Sequence, residues 1–142
     1  STIEQFVALA ALMPIVASIG GNTGNQTVAL MIRGIALQQI TPDNLRCFLS
    51  KELGIGIVNG LIWGCGMGLV TLLLYGELRL ALVMLLAMIG NFCVAALAGV
   101  SVPAVLHYVG RDPVMGSSVL LTALTDSMGF LLFLGIATLV LI

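Results

Sequence analysis

Apolar positions dominate this chain in four long stretches, and polar positions are confined to short gaps between them. No Asp, Glu, Lys or Arg occurs in 5–32, 53–76 or 80–106, and 113–142 holds only Asp126. Each run exceeds the ~20 residues that carry a helix across a hydrocarbon core. The pattern predicts spans at about 3–37, 50–75, 78–106 and 114–142, here called a to d. Breaks fall at Pro42-Asp43-Asn44, Tyr75-Gly76-Glu77 and Gly110-Arg111-Asp112-Pro113. Thr41 or Asp43 can cap the helix that follows, and Pro113 suits a first helical turn. The loops are too short for a second domain. Residues 1–142 therefore read as one all-α, polytopic membrane helix bundle.

Composition agrees with the pattern. The chain is 60% hydrophobic and 8% charged, against about 25% charged in soluble domains. Its mean hydropathy is +1.20. The five basic residues form no patch, which excludes nucleic acid as a partner. Ser1-Thr2-Ile3-Glu4 lacks the basic start of a secretory signal. Without an initiator Met, the chain is expected to begin inside a longer protein. Cys47, Cys65 and Cys93 are widely spaced and make no metal-type pair, so they read as small apolar residues.

Loop charge predicts orientation. The a–b connection carries Arg33, Arg46 and Lys51, and the c–d connection carries Arg111 beside His107. The b–c turn has only Arg79. Basic loops favour the cytoplasmic side, so the a–b and c–d loops are expected there. A cytosolic N-terminal region would need one more span before Ser1. In span b, Gly56, Gly60, Gly64 and Gly68 recur every fourth residue. They share a face and read as a ridge for close helix packing.

Two polar clusters interrupt the apolar runs. GGNTGNQT (20–27) places three amides and three glycines inside span a. If helical, Asn22, Asn25 and Gln26 share one face, and the glycines, Gly21 among them, would permit local unwinding. Irregular backbone at membrane depth needs protein or water beside it. The second cluster is the stripe Ser118, Thr122, Asp126 in span d, continued by Gly129. A charged Asp near mid-span costs about 2.5–3.5 kcal/mol on insertion scales. Span d holds no basic residue, and Arg33 of span a is a possible partner that lies toward the cytoplasmic end. These clusters read as the polar wall of a cation path, or else as interhelical glue. Glu52 reads equally as a solvated helix end or as an ion-admitting carboxylate, and Glu4 equally as an interfacial carboxylate or an outer attractor for cations. Asn59 and Asn91 read as interhelical hydrogen bonders. With no nucleophile–base pair and no metal cage, the chain does not read as an enzyme.

At these clusters the sequence resembles the MgtE family of magnesium channels. The resemblance rests on PIVASIGGNTGNQTVALMIRGIAL (14–37), FLSKELGIGIVNG (48–60) and GRDPVMGSSVLLTALTDSMGFLLFLGIATLVL (110–141), and with the intervening spans it covers almost the whole chain. It implies a homodimer in the plasma membrane (the inner membrane in a Gram-negative bacterium) with a pore on the dimer axis lined by spans a and d. It implies Asp126 at the ion-selective site, Asn25 and Asn22 nearby, a backbone carbonyl from Thr122, and auxiliary contacts from Glu52 and Glu4. Gly21, Gln26, Ser118 and Gly129 are expected to line the pore. Compared with the family pattern, the chain lacks the first of five membrane helices, the cytosolic N-terminal domain and the paired CBS modules.

The transported ion implied is Mg²⁺, which prefers six oxygens and dehydrates reluctantly. Two Asp126 carboxylates across a two-fold axis would match one hydrated dication. The clusters contain no Cys, His or Met, which disfavours soft-metal selection, whereas Mn²⁺ or Co²⁺ could still pass. The alternatives are a proton- or sodium-coupled carrier with Asp126 as its relay, and a structural membrane subunit whose stripes bind a partner helix.

Overall fold

The computed structural model describes residues 2–40, 43–114 and 116–141, with the backbone alone for 2–6 and 141. Among these residues the chain forms four helices: α1 (Thr2–Ala36), α2 (Leu45–Tyr75), α3 (Leu78–Tyr108) and α4 (Ser117–Leu141). All four are long and apolar enough to cross a membrane. At 1.5 Å per residue, α1 is roughly 52 Å long and outreaches a ~30 Å hydrocarbon core.

α3 is the central helix and packs against each of the other three. Its Val83, Met84, Ala87, Met88 and Phe92 are buried in one cluster with Leu12 and Val16 of α1 and Phe133 of α4. A polar pin crosses this core. The Asn91 amide donates to the Val16 carbonyl at 3.0 Å. Gly20 of α1 and Gly129 of α4 make room for it, since a methyl on Gly129 would come within 3.0 Å of the Asn91 amide nitrogen. The interhelical bond expected of Asn91 is therefore made, although its own Oδ1 is buried without a partner among the described residues. Asn59 departs from the same expectation, making no side-chain hydrogen bond among the described residues.

The glycine ridge of α2 packs against α3. Gly56, Gly60, Gly64 and Gly68 are all buried. They face Phe92, Ile89, Leu85 and Ala81 in turn, so the two helices run antiparallel. At Gly60 an added Cβ would lie 2.8 Å from the Ile89 Cα. Close backbone approach of this kind is what small residues permit in lipid.

The boundaries differ from expectation in three places. α2 begins at Leu45, not near 50, because Arg46 and Lys51 are exposed and long basic side chains reach the interface from a helix end. Its cap position is Asn44, which makes no side-chain capping bond; its amide instead donates to the Gln39 carbonyl at 2.8 Å. Of the two suggested caps, Asp43 lies one residue before the cap position and Thr41 lies outside the described residues. α4 begins at Ser117 rather than 114. Pro113 sits in the preceding turn, where the Val114 amide donates to Asp112 Oδ1 at 3.0 Å and the Ser117 hydroxyl donates to the Pro113 carbonyl. Third, α1 runs unbroken through GGNTGNQT. No unwinding occurs there because Gly20 and Gly24 are occupied from outside, by the Asn91 and Leu121 side chains. The b–c turn is as expected, with Gly76 left-handed at φ 69°, a conformation that glycine adopts without penalty.

Candidate functional site

α1 and α4 also run antiparallel, and their seam is made by small residues. Gly24 lies against Leu121, Gly21 against Thr125 and Ala17 against Gly129. Gly21 and Gly129 were expected on a pore wall. The structure buries both in this seam, where missing side chains let the two backbones approach.

The polar side chains follow one edge of the seam. Ser118 Oγ donates to Asn25 Oδ1 at 3.0 Å, and this bond joins the two polar clusters. Thr122 is exposed one turn further along α4, and Asp126 is half-buried one turn beyond that. Eight residues separate Ser118 from Asp126, about 12 Å of helix rise. Asn25 and Asp126 therefore belong to one ladder but do not meet within this chain. Beside Asp126, buried Thr125 turns its hydroxyl back to the Leu121 carbonyl at 3.0 Å and the Thr122 carbonyl at 3.3 Å. The Thr122 carbonyl is thus already engaged by a hydroxyl of its own helix.

Asp126 has no hydrogen bond or ion pair among the described residues. Arg33 is excluded as its partner by position. Asp126 follows Thr125, which is level with Gly21, and Arg33 lies twelve residues beyond Gly21 on α1, roughly 18 Å of rise. The carboxylate thus sits within its span, at the open edge of the seam, with no protein cation beside it. Nor do three His, Cys, Asp or Glu side chains cluster anywhere among the described residues. What this edge offers an ion is a carboxylate, an amide and hydroxyls, the hard oxygen donors suited to a hydrated dication.

The amides of α1 do not all join this edge. Asn22 and Gln26 are exposed on the next strip of the helix. There they line a separate cavity of about 330 Å³ with Thr23, Asn59, Trp63 and Phe92, between α1 and α2. The shared face expected for Asn22, Asn25 and Gln26 is real, but its two borders address different neighbours.

Glu52 is the largest departure from expectation at the site. It is buried at 7% exposure, so it is not a solvated helix end. Thr27 Oγ1 donates to Glu52 Oε2 at 3.4 Å. Thr27 and Asn25 lie about 200° apart around α1, so Glu52 stands on the opposite side of that helix from the Asn25–Ser118 bond. The sequence carried a signal for this burial: Glu52 lies four residues before Gly56 and continues the buried glycine stripe. Thr27, the last residue of the first polar cluster, and Thr125, beside Asp126, were given no role of their own because position along a helix does not tell which acceptor a hydroxyl meets. The side chain of Glu4 lies outside the described residues.

A family model described as "MgtE: Divalent cation transporter" matches residues 13–136. The chain is 33% identical over 147 residues to the magnesium transporter MgtE of Thermus thermophilus, covering 99% of this chain and 31% of that protein. It is 29% identical over 136 residues to the magnesium transporter MgtE of Bacillus subtilis, covering 96% and 30%. For the magnesium transporter MgtE of Enterococcus faecalis the identity is 28% over 138 residues, covering 97% and 30%. The chain thus spans less than a third of the length of these curated relatives. With the match extending through all four membrane helices, from Met13 in α1 to Ile136 in α4, the chain belongs to the MgtE family of divalent cation transporters.

Proposed function

We propose that this chain is a pore domain that conducts hydrated Mg²⁺ across the plasma membrane, between two copies related by a two-fold axis. The observation that carries the reading is Asp126, a half-buried carboxylate within a span with no cation beside it. Such a group is costly in lipid unless water or an ion faces it. One chain supplies only one wall. A second copy, placed with its α1–α4 edge opposite, would bring two Asp126 side chains together. Their repulsion is relieved by a bound dication and less well by a monovalent ion.

In this reading the ion passes Asn25 and Ser118, then Thr122, then Asp126, held through its water shell by oxygen donors. Asn22 and Gln26 face the separate cavity between α1 and α2, so they stand aside from this path in this conformation. Glu4, at the end of α1 away from the basic loop, attracts cations to the outer mouth. Glu52 stands behind α1, so the path does not run past it in this conformation. Mn²⁺ and Co²⁺ accept the same donors and are expected to compete.

The test is disulfide crosslinking with cysteines placed at Ser118, Thr122 and Asp126, one at a time, in a background without Cys47, Cys65 and Cys93. The reading expects crosslinked dimers at these positions and none at exposed Leu73 of α2. A strictly monomeric particle that conducts Mg²⁺ in liposomes would refute it. Ion flux coupled to a proton or sodium gradient would favour a carrier instead.

A further inference from the structure

The loop after α1 is a built structure. The Gly34 carbonyl accepts from the Gln39 amide at 2.8 Å and from the Ile40 amide at 3.2 Å. Gln38 takes a left-handed conformation at φ 59°, and this turns the chain back onto α1. A Cβ on Gly34 would run into the Ile40 side chain. The Asn44 amide closes the loop onto the Gln39 carbonyl.

Behind this loop lies a cavity of about 480 Å³. Arg33 reaches it from the last turn of α1 and Lys51 from the second turn of α2, with Gln39 and Asn44 on the loop side. Its other walls include Leu30, Ile40 and Phe48. Neither Arg33 nor Lys51 forms an ion pair among the described residues. The nearest carboxylates do not supply one. Glu52 is turned toward Thr27 and buried, and Asp43 does not line the cavity. Two cations and two amides therefore face one apolar-walled space at the end of the membrane spans. Leu30, one of its walls, is 51% exposed.

We propose that this cavity binds the phosphate headgroup of an anionic phospholipid, with its acyl chains lying along exposed Leu30 of α1. Guanidinium and ammonium groups pair with a phosphodiester. Basic pockets between spans on the cytoplasmic side are suited to such headgroups, and the positive loops place this one there. A soluble phosphate would use the same cations but gain nothing from Leu30 and Phe48, so the lipid is the occupant favoured here.

The experiment is native mass spectrometry of the purified protein in detergent with added phosphatidylglycerol or phosphatidylcholine, repeated with inorganic phosphate as competitor. Phosphatidylglycerol should be retained and phosphatidylcholine should not, and millimolar phosphate should fail to displace the lipid. Arg33→Gln with Lys51→Gln should weaken retention about thirtyfold, the effect of two interfacial charges. Arg33→Lys with Lys51→Arg keeps both charges and should retain the lipid. Arg79→Gln, at the opposite end of the bundle, should change nothing. Equal retention by the double Gln variant, equal retention of phosphatidylcholine, or displacement by inorganic phosphate would each overturn the proposal.

Discussion

Ser118 and Asn25 are joined by a 3.0 Å hydrogen bond between side chains of two different helices. Around that bond the glycines of α1 bring its backbone close to α4, and the polar ladder continues along α4 to Asp126. The bond is exposed, so its net contribution is modest. Ser118→Ala is expected to lower stability by no more than about 1 kcal/mol. Asn25→Leu, which removes the amide from the proposed ion path, should leave the fold intact and sharply reduce Mg²⁺ uptake by liposomes. If both variants transport normally, the ladder is only interhelical glue.

The α2 ridge gives a sharper contrast. Gly60→Ala places a methyl 2.8 Å from the Ile89 backbone, and overpacking typically costs about 1–3 kcal/mol. Gly66, on the same helix, has nothing within 4 Å of an added Cβ. Gly66→Ala should therefore gain up to about 1 kcal/mol of helix propensity. Thermal melting in detergent should move in opposite directions for the two variants. Matching shifts would mean that the ridge does not hold α2 against α3.

Among the described residues the buried Glu52 carboxylate has one neutral donor, the Thr27 hydroxyl, for whose single proton the Thr23 carbonyl competes at the same 3.4 Å. Thr27→Val deletes the donor and keeps the shape, and should cost about 1–3 kcal/mol. Glu52→Gln removes the charge and keeps an acceptor, so stability should be unchanged or higher. Loss of stability in Glu52→Gln comparable to that in Thr27→Val would point to a charge partner for Glu52 in the assembled protein.

The spans were legible because lipid forbids charge so strictly that charge-free runs mark them. The α2 ridge was legible because a four-residue glycine period on a helix has one geometric meaning. The start of α2 was not, since Arg46, ahead of the expected opening near 50, looks like a loop residue until its environment is known. Periodicity gives the angle of a side chain around its own helix but not the neighbour it meets. For that reason it placed Asn22, Asn25 and Gln26 on one face and could not show Asn25 meeting Ser118 while the other two border a cavity with Asn59. It also could not show that side chains from other helices fill the gaps at Gly20 and Gly24 and keep α1 helical.

The central claim is that Asp126 selects a dication, and Asp126→Asn tests it most directly. The substitution keeps size and hydrogen bonding and removes the charge. Patch recordings of Na⁺ current with and without added Mg²⁺ read the result. In the unaltered protein Mg²⁺ should block the Na⁺ current by occupying the site. In the Asn variant the block should disappear while the protein still assembles and conducts Na⁺. Asp126→Glu, with the charge kept but displaced, should fall between the two. Block by Mg²⁺ in the Asn variant equal to that in the unaltered protein would contradict the account.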